Sequence, residues 1–481
     1  MMIVDCDRGM GAELSEFFSF FVPGYKFMPA YKNRIWDGKI RLFNSMTNEL
    51  NAGLFIYLYN FCKDRGYPLE VIETKYGIPY EENKFDVDEF NNMLADIKIP
   101  FPMRDYQYSA VSQAIRRERA ILLSPTGSGK SFIIYALVRW ILKQHTDSKV
   151  LVIVPTTSLV EQLYSDFEDY GWDADKNVHK IYSGKDKTTN KGVIISTWQS
   201  IYKFPKQWFE QFIGVFGDEC HGFKSKSLSS IMNKATEAKY RYGTTGTLDG
   251  TQTHKLVLEG LFGPVYKVTT TKQLQDNDTL APLDITVLLL NYPESVRQDF
   301  GKRTYQDEID FIVTNKTRNN LIRNLALDNK GNTLVLYQLV ERHGKILYDM
   351  IYDKAELDRK VFFVSGAVGA DDREAIRNIV EKQTNAIIVA SMGTFSTGIN
   401  IKNLHNIIFA SPSKSQIRVL QSIGRGLRKS DDGSTTKLFD IADDLHWKSR
   451  QNFTLLHSAE RVKIYNKEQF KHKIVKVDIN E

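Results

Sequence analysis

The stretch Leu122-Leu123-Ser124-Pro125-Thr126-Gly127-Ser128-Gly129-Lys130-Ser131 decides how this chain is interpreted. It follows an apolar run at Ala120–Leu123, which predicts a strand, and precedes one at Phe132–Leu142, which predicts a helix. A strand, a glycine-rich turn and a helix in this order are typical of a phosphate-binding loop. Ser124 stands where the general pattern has its first glycine.

The residues of this loop have predicted roles in binding ATP. Glycines let the backbone turn its N–H groups towards phosphate oxygens, and the start of the following helix adds positive potential. We expect Lys130 to reach the β and γ phosphates and the Ser131 hydroxyl to bind Mg²⁺. The predicted nucleotide contacts in the loop are Thr126, Gly127, Ser128, Gly129, Lys130 and Ser131.

A second candidate element is Asp218-Glu219-Cys220-His221, which follows the apolar run Phe212–Gly217. Acidic residues at the carboxyl end of a parallel strand lie at the edge where nucleotides bind. We therefore predict Asp218 as a second Mg²⁺ ligand and Glu219 as the group that orients and deprotonates the attacking water. His221 is predicted to be a sensor residue that links the bound nucleotide to a second lobe of the protein.

The third element is Gln421-Ser422-Ile423-Gly424-Arg425-Gly426-Leu427-Arg428. Arg425 and Arg428 are three residues apart and would share one face of a helix. Such guanidinium groups can stabilise charge on the transferring γ-phosphoryl group, an effect worth about 10³–10⁵ in rate. A solvated basic helix face is the alternative, but Gly424 and Gly426 are poor choices for an ordinary surface helix.

These three elements occur in the order found in superfamily 2 helicases and translocases, which the chain resembles over about residues 100–445. The further segments that resemble family motifs are Met103–Gln107, Val154–Leu159, Ser196–Gln199, Thr244–Thr247, Val335–Tyr337 and Ser391–Asn400. The resemblance implies that Arg104 and Gln107 receive adenine and that Gly398 contacts the nucleotide. It also implies that Thr156, Thr197 and Thr394 contact nucleic acid.

The resemblance implies an α/β fold with two tandem RecA-like parallel-sheet lobes, ATP between them, and a hinge-like closure that moves a nucleic-acid strand. Apolar runs alternate with helical patterns, as a parallel sheet covered on both faces requires. The predicted strands are Lys149–Val154, Gly192–Ser196, Asn332–Tyr337, Lys360–Val364, Ala386–Ala390 and Asn406–Ala410, and Ser158–Tyr170 is a predicted helix. The predicted domains are a small α+β unit at 1–98, lobe 1 at 99–280, lobe 2 at 281–445 and an extension at 446–481.

Composition sets limits that agree with this plan. The chain has 481 residues, 42% of them hydrophobic and 25% charged, and a formal net charge of +6. We expect a protein that buries complete hydrophobic cores and has no membrane-spanning segment and no secretory signal. Its three cysteines are too few and too scattered for a disulfide framework or a zinc site, which predicts the reducing cytoplasm.

The first hundred residues lie outside the predicted motor. Patterns predict a helix at Glu13–Phe21, a hairpin at Arg34–Phe43 that turns at Asp37-Gly38, a helix at Asn51–Lys63 and a strand at Pro68–Ile72. Basic and aromatic residues are interleaved from Gly24 to Phe43, although residues 1–98 as a whole carry 11 basic against 15 acidic side chains. The predicted nucleic-acid contacts are Lys26, Lys32, Arg34, Trp36 and Lys39. Core or cross-strand pairing of the aromatic residues is the alternative.

The segment Tyr25–Asn44, placed before this motor, resembles the UvsW-type recombination helicases of T-even-type bacteriophages. This resemblance covers nearly the whole chain and implies an ATP-driven enzyme on branched DNA in the host cytoplasm. Fork regression, Holliday-junction migration and R-loop removal are its implied tasks. The implied partners are branched, forked or single-stranded DNA, RNA–DNA hybrids, and single-stranded-DNA-binding and recombination proteins.

Three other interpretations remain open. A DEAD-box RNA helicase would typically carry Asp-Glu-Ala-Asp, whereas this chain has Cys220-His221. The motor subunit of a restriction enzyme shares the Asp-Glu-x-His pattern, and a separate subunit could supply a nuclease. A non-enzymatic binding protein is disfavoured because Lys130, Asp218, Glu219 and Arg425 are all present.

Overall fold

The computed structural model describes residues 1–72, 85–97, 99–182, 186–248, 251–398, 401, 403–413, 415–427 and 433–479. The chain divides into two compact units. Unit 1 comprises residues 1–124 and 129–268, and unit 2 comprises residues 125–128 and 269–481.

The N-terminal part of unit 1 contains short strands and helices. These are β1 (Met2–Ile3), α1 (Arg8–Phe17), β2 (Ser19–Phe21), α2 (Pro29–Lys32), β3 (Lys39–Arg41), β4 (Phe43–Asn44), β5 (Glu49–Leu50), α3 (Phe55–Arg65) and α4 (Val87–Asp96), with 3₁₀ turns at Tyr25–Phe27 and Ala52–Leu54. Strands β1, β5 and β4 form one antiparallel sheet, and β2 pairs with β3 in a separate ribbon.

Three expectations for this part are wrong in detail. The predicted hairpin at Arg34–Phe43 does not form, because Lys39–Arg41 pairs with Ser19–Phe21 instead. The predicted helix at Glu13–Phe21 correspondingly ends at Phe17, which leaves the next residues free to supply that strand. Asp37 does not turn a hairpin but forms an ion pair with Arg41 and accepts the Lys39 N–H at 3.1 Å. The segment Pro68–Ile72, predicted as a strand, has no regular structure.

The rest of unit 1 is a seven-stranded parallel sheet with helices on both faces. Its elements are α5 (Asp105–Arg117), β6 (Arg119–Leu123), α6 (Lys130–Gln144), β7 (Lys149–Val154), α7 (Thr157–Asp169), α8 (Ala174–Asn177), β8 (Val178–Ile181), β9 (Val193–Thr197), α9 (Trp198–Ile201), α10 (Lys206–Phe209), β10 (Phe212–Asp218), a 3₁₀ turn (Cys220–Lys224), α11 (Lys226–Lys234), β11 (Tyr240–Thr245), α12 (Gln252–Phe262) and β12 (Val265–Lys267). The strand order is β12-β6-β11-β10-β7-β9-β8. Long runs of Val, Ile and Leu in these strands are fully buried, as a sheet covered on both faces requires.

The N-terminal part packs directly on α12. Leu256 joins its apolar core, and the Tyr57 hydroxyl donates to Glu259 Oε2 at 2.6 Å. The backbones also touch, because a Cβ added at Gly53 would lie only 1.8 Å from the carbonyl oxygen of Glu259. The first 72 residues are therefore joined to α12 by a close-packed interface within unit 1.

Unit 2 contains a second seven-stranded parallel sheet, in the order β15-β16-β14-β17-β18-β13-β19. Its elements are α13 (Thr271–Asp276), β13 (Leu283–Asn291), α14 (Glu294–Phe300), α15 (Tyr305–Thr314), α16 (Lys316–Asp328), β14 (Thr333–Tyr337), a π-helical turn (Val340–Gly344), α17 (Lys345–Tyr352), β15 (Val361–Val364), α18 (Ala370–Glu381), β16 (Ile387–Ser391), α19 (Met392–Gly398), β17 (Asn406–Phe409), α20 (Gln416–Gly426), β18 (Thr436–Asp444), α21 (Phe453–Lys467) and β19 (His472–Asp478). The prediction of two tandem RecA-like lobes after a small α+β region is thus confirmed.

The C-terminal residues complete the second sheet. β19 pairs in parallel with β13 from Ile285–His472 to Asn291–Asp478. On α21, the Arg461 guanidinium forms a fully buried ion pair with Asp440 on β18, at 2.7 Å between Nη2 and Oδ1. The exact domain limits at 98, 280 and 445 stay predictions.

Candidate functional site

The register of unit 1 brings three predicted motifs to one edge of the sheet. Asp218, at the end of β10, pairs with Thr244 of β11, and Thr245 pairs with Leu123 at the end of β6. Because parallel strands all end at the same edge, Ser124 at the start of the phosphate loop, the acidic pair and Thr244–Thr245 are neighbours there. This adjacency is the arrangement that a phosphate-transfer site needs.

The loop has the backbone geometry that the glycines predict. Gly127 and Gly129 have φ angles of +84° and +80°, in the left-handed region that glycine adopts readily. Lys130 is the first residue of α6, and its Nζ donates to the Ser124 carbonyl oxygen at 3.3 Å. The ammonium group thus lies beside the first residue of the loop. A phosphate bound in the loop would also meet the N-terminus of α6.

Asp218 is a half-buried carboxylate in this site. It accepts a hydrogen bond from the Thr244 hydroxyl at 2.7 Å. Burial and then the neighbouring Glu219 charge raise the pKa of Asp218, while the Lys130 ammonium acts in the opposite direction. A carboxylate in this setting gains from a nearby cation, and Mg²⁺ prefers one or two such oxygen ligands together with substrate phosphates. The predicted donors Asp218 and Ser131 therefore fit Mg²⁺.

Glu219 and His221 form a small polar cluster with Thr245. The His221 Nδ1 lies 3.3 Å from Glu219 Oε2 and 3.0 Å from Thr245 Oγ1. Glu219 has a φ of +50°, which is uncommon for a non-glycine residue. The predicted water-activating residue is therefore oriented by a histidine and by a threonine of the neighbouring strand.

Cys220 is a core residue, although it lies between these polar groups. Its side chain is fully buried against Gly243, where an added Cβ would lie 2.9 Å from the Cys220 Sγ. Burial raises the pKa of the Cys220 thiol well above its ordinary value. The thiolate form, which nucleophilic chemistry requires, is therefore disfavoured here.

The structure adds Tyr170, which no sequence motif indicates. Its hydroxyl lies 2.9 Å from Ser131 Oγ, the predicted Mg²⁺ ligand, although the two residues are 39 positions apart. Its ring also contacts Phe101 and Phe132, with centroids 5.6 and 5.2 Å away. Only the three-dimensional structure could reveal this contact, because a tyrosine at the end of an amphipathic helix has no distinguishing pattern.

The predicted adenine-binding residues begin α5. The Gln107 side-chain oxygen accepts the Arg104 backbone N–H at 3.0 Å in a capping arrangement. Gln107 also lies against the phosphate loop, because a Cβ added at Gly129 would be 2.4 Å from Gln107 Nε2. The Arg104 guanidinium donates to the Tyr106 hydroxyl at 3.0 Å. These contacts place Gln107 beside the loop and fix its amide.

Predicted residues of unit 2 lie at the ends of its helices. Gly398 is the last residue of α19, and Arg425 lies near the end of α20. The side chain of Arg425, the whole of Arg428 and the motif positions 399 and 400 lie outside the described residues. The predicted contact of both arginines with phosphate stays a prediction.

The three threonines predicted to contact nucleic acid have defined local partners. The Thr156 hydroxyl caps α7 through the Leu159 N–H at 3.4 Å, and Thr197 Oγ1 lies 2.9 Å from Ser200 Oγ. Thr394 is buried and accepts from the Ser391 hydroxyl at 2.6 Å. In unit 1, Val154 pairs with Thr197, so these segments leave adjacent strands at the carboxyl edge.

The predicted basic contacts of the N-terminal part lie on its surface. Lys26, Lys32 and Arg34 are exposed, whereas Lys39 is half-buried with its Nζ 5.0 Å from the Phe21 ring centre. Trp36 is also half-buried, and its indole N–H donates to the Lys39 carbonyl at 2.8 Å. This hydrogen bond holds the indole ring in place, and the predicted contact of Trp36 with nucleic acid stays a prediction.

Comparisons with known families divide the chain into three matches. Residues 1–72 match the family DNA helicase UvsW, N-terminal. Residues 100–250 match Type III restriction enzyme, res subunit, and residues 316–430 match Helicase conserved C-terminal domain. No described helix is long and apolar enough to cross a membrane.

Individual relatives agree with these matches. The ATP-dependent DNA helicase uvsW of Enterobacteria phage T4 is 34% identical over 99% of this chain and 97% of its own length. The DNA 3'-5' translocase XPB2 of Sulfurisphaera tokodaii is 25% identical over 73% of this chain and 84% of its own length. The crystal structure of T4 UvsW matches 99% of this chain and 97% of its own with a TM-score of 0.50 and 32% identity.

Proposed function

Because this chain belongs to the UvsW family of ATP-dependent DNA helicases, we propose that it uses ATP to remodel branched DNA. The proposed tasks are regression of stalled forks, migration of Holliday junctions and removal of R-loops. The observation that carries the proposal is the adjacency of Lys130, Asp218 and Glu219 at one sheet edge in a UvsW-type chain. The proposed setting is the cytoplasm of a host cell, together with single-stranded-DNA-binding and recombination proteins.

The proposed chemistry is hydrolysis of the γ-phosphate by water. Lys130 would stabilise charge on the β and γ phosphates, and Asp218 with the Ser131 hydroxyl would hold Mg²⁺, which neutralises that charge. Glu219 would align the attacking water and accept its proton. The hydrogen-bonded neighbours His221 and Thr245 support this role, since they hold the Glu219 carboxylate in one place.

Arg104, Gln107 and the backbone of the loop would bind the nucleotide. The packing of Gln107 against Gly129 supports this assignment, because it couples the base-binding residue to the phosphate loop. We propose that unit 2 adds Gly398, Arg425 and Arg428 when ATP is bound. ATP would then favour a closed state in which both units share its charge, and hydrolysis would release it.

The proposed substrate path uses residues of both units. Thr156, Thr197 and Thr394 would contact one nucleic-acid strand, and Lys26, Lys32, Arg34 and Lys39 would contact phosphates near the branch. The shared carboxyl edge of β7 and β9 supports the first part of this path.

A direct test is the ATP hydrolysis rate of the full chain with single-stranded, linear duplex, forked and four-way DNA, and with RNA. We expect forked and four-way DNA to stimulate hydrolysis more than linear duplex of equal length. Equal stimulation by every DNA would contradict the branched-DNA role, and stimulation by RNA alone would favour an RNA helicase.

Lys130→Ala should lower the hydrolysis rate by about two orders of magnitude or more, because it removes the charge over the β and γ phosphates. Lys143→Ala, an exposed lysine on the same helix, is the matched control and should keep wild-type turnover. Normal hydrolysis in the Lys130 variant would refute the assignment of this loop.

A second candidate is the DNA-translocating subunit of a restriction-type system. The match of residues 100–250 to the res subunit favours it. Incubation with plasmid DNA and ATP, with and without a host extract, would decide between the two by the presence of DNA cleavage.

A further inference from the structure

Several large apolar side chains of the N-terminal part of unit 1 are exposed, and two of them lie in the segment of residues 24–38. These are Phe27 and Ile35, which are 80% and 79% exposed, and the neighbouring Phe21 is half-exposed. Exposed apolar side chains that are surrounded by polar ones are typical of interaction sites. We call residues 24–38 the basic knob, because its other exposed side chains include Lys26, Lys32 and Arg34.

The basic knob is ordered by contacts among its aromatic rings. Its base is formed by Tyr25, whose ring stacks on Phe21 with centroids 4.6 Å apart and meets Tyr31 edge-on at 4.7 Å. Gly38 has a φ of +84°, and an added Cβ would lie 2.3 Å from the Tyr25 ring. The half-buried rings thus support the knob, whereas Phe27 and Ile35 are left projecting.

Backbone hydrogen bonds fix both projecting residues. The Phe27 N–H donates to the Gly24 carbonyl at 3.0 Å, and the Ile35 N–H donates to the Ala30 carbonyl at 2.9 Å. A positive φ of 58° at Arg34 makes the sharp turn that precedes Ile35. The two apolar side chains are therefore presented on an ordered backbone.

The charges around the two apolar residues are almost all of one sign. Between residues 24 and 43 the sequence has five basic residues and one acid, Asp37, which is paired with Arg41. Lys26, Lys32 and Arg34 therefore give the knob a positive field beside its apolar tip. Cations bind phosphates, and apolar side chains gain by covering the faces of bases.

We propose that Phe27 and Ile35 stack on bases exposed where a DNA duplex ends or branches, while Lys26, Lys32 and Arg34 bind the flanking phosphates. The faces of bases inside a duplex are covered by their neighbours, so an apolar tip finds little to contact there. At a fork the terminal pair has an uncovered face, and apolar side chains can act as wedges between bases, as they do in DNA-bending proteins. This inference rests on the proposed function, because it names the part of the chain that detects the branch.

The test compares Phe27→Ala/Ile35→Ala with the wild-type full chain in binding to forked and linear DNA of equal length at one salt concentration. We expect the preference for the fork to fall by about tenfold, with single-strand-stimulated ATP hydrolysis unchanged. Met46→Ala is the matched control, because Met46 is 93% exposed in the same N-terminal part but outside the knob. Phe27→Trp should keep the preference, since a larger ring can still stack.

A fluorescent adenine analogue at the fork reports the contact itself. Wild type should change its emission when the analogue is at the branch, and the double variant should not. If the double variant keeps the wild-type fork preference and emission change, the inference is wrong. If instead wild type shows no fork preference at all, the proposed function fails first. Loss of binding to a recombination protein, with fork binding intact, would assign the knob to a protein partner and overturn the inference.

Discussion

Tyr170 shows how a residue without a motif can affect the predicted metal site. A hydroxyl that ligates Mg²⁺ retains its proton and needs an acceptor for it, and Tyr170 Oη lies 2.9 Å from Ser131 Oγ. We predict that Tyr170→Phe raises the Mg²⁺ concentration for half-maximal hydrolysis by about 3- to 10-fold, because one hydrogen bond is lost. The measurement is a Mg²⁺ titration of ATP hydrolysis and of the binding of a fluorescent ATP analogue.

The control for this prediction is Tyr164→Phe on α7, the helix that Tyr170 follows; the Tyr164 hydroxyl donates to Asp175 at 3.2 Å. That variant should keep the wild-type Mg²⁺ dependence. The turnover of Tyr170→Phe at saturating Mg²⁺ should also match wild type, since the tyrosine positions a ligand and does not contact the phosphate. A fall in turnover with no change in Mg²⁺ dependence would contradict this role.

His343 predicts a pH dependence of stability in unit 2. Burial, and then the nearby Arg318 charge, lower the pKa of His343 to about 3. Its Nδ1 lies 3.1 Å from Ser411 Oγ and its Nε2 lies 3.3 Å from Asn319 Oδ1. The folded state therefore holds a neutral ring, whereas the unfolded chain binds a proton below about pH 6.5.

Stability from this histidine is present above pH 6.5 and is lost as the pH falls towards 3. At pH 5 the loss is about 2 kcal/mol in the free energy of unfolding. Urea unfolding at pH 7 and pH 5 should show that His343→Gln loses less stability between the two values than wild type. The half-buried His179→Gln is the control and should keep the wild-type difference. An equal loss of stability between pH 7 and pH 5 in wild type and in His343→Gln would contradict this role of His343.

Among the elements, α21 is fixed to the second sheet by a buried charge. Asp440 on β18 binds Arg461 and also accepts the Tyr465 hydroxyl at 2.8 Å, with all three side chains buried. Arg461→Ala should destabilise the protein by about 3–5 kcal/mol, because Asp440 would keep a buried charge without its partner. Urea unfolding measures this loss.

Lys463→Ala tests whether the effect depends on burial. Lys463 pairs with Glu460 on the same helix, but both side chains are largely exposed, so its removal should cost less than about 1 kcal/mol. Similar losses of unfolding free energy in the two variants would show that burial does not increase the contribution of the Arg461–Asp440 pair.

The sequence predicts the buried strands well, because their apolar runs have no competing structure. Lys149–Val154 is a strand over its predicted length, and the predicted helix Ser158–Tyr170 is shifted by one residue. The N-terminal hairpin was predicted from Asp37-Gly38, yet Lys39–Arg41 pairs with Ser19–Phe21. The Tyr25 ring packs on Gly38 beside this pairing, and no local turn signal contains that contact.

In the candidate site, too, some residues could be predicted from the sequence and others could not. Its motif residues could be found because phosphate binding requires glycine, lysine and acidic residues at fixed places, and the sheet brings Lys130, Asp218, Glu219 and His221 to one edge. Tyr170 and Thr244 could not be assigned their contacts, because these depend on the packing of α7 and on the register of β11. The catalytic roles themselves stay predictions.

For the whole molecule, the proposal requires that unit 2 contributes to hydrolysis. Arg425→Ala should keep ATP affinity within about threefold but lower turnover by about 10³-fold or more, because an arginine finger acts mainly on the transition state. Nucleotide binding by fluorescence and hydrolysis by phosphate release separate the two effects.

The matched control is Arg323→Ala on α16, whose guanidinium contacts Asn324. It should leave both quantities unchanged. If Arg425→Ala loses binding and hydrolysis equally, Arg425 has a structural role, and the proposed division of labour between the units is wrong.

The close packing of the N-terminal part on α12 limits how the motor can be shortened. Leu256 is 2% exposed and belongs to the N-terminal core, and Gly53 meets the backbone of Glu259 directly. A truncated enzyme that begins at residue 99 would lose the neighbours that pack on Leu256 and on this turn of the helix. We therefore expect a shortened enzyme to remain dispersed in water only if it retains the first 72 residues.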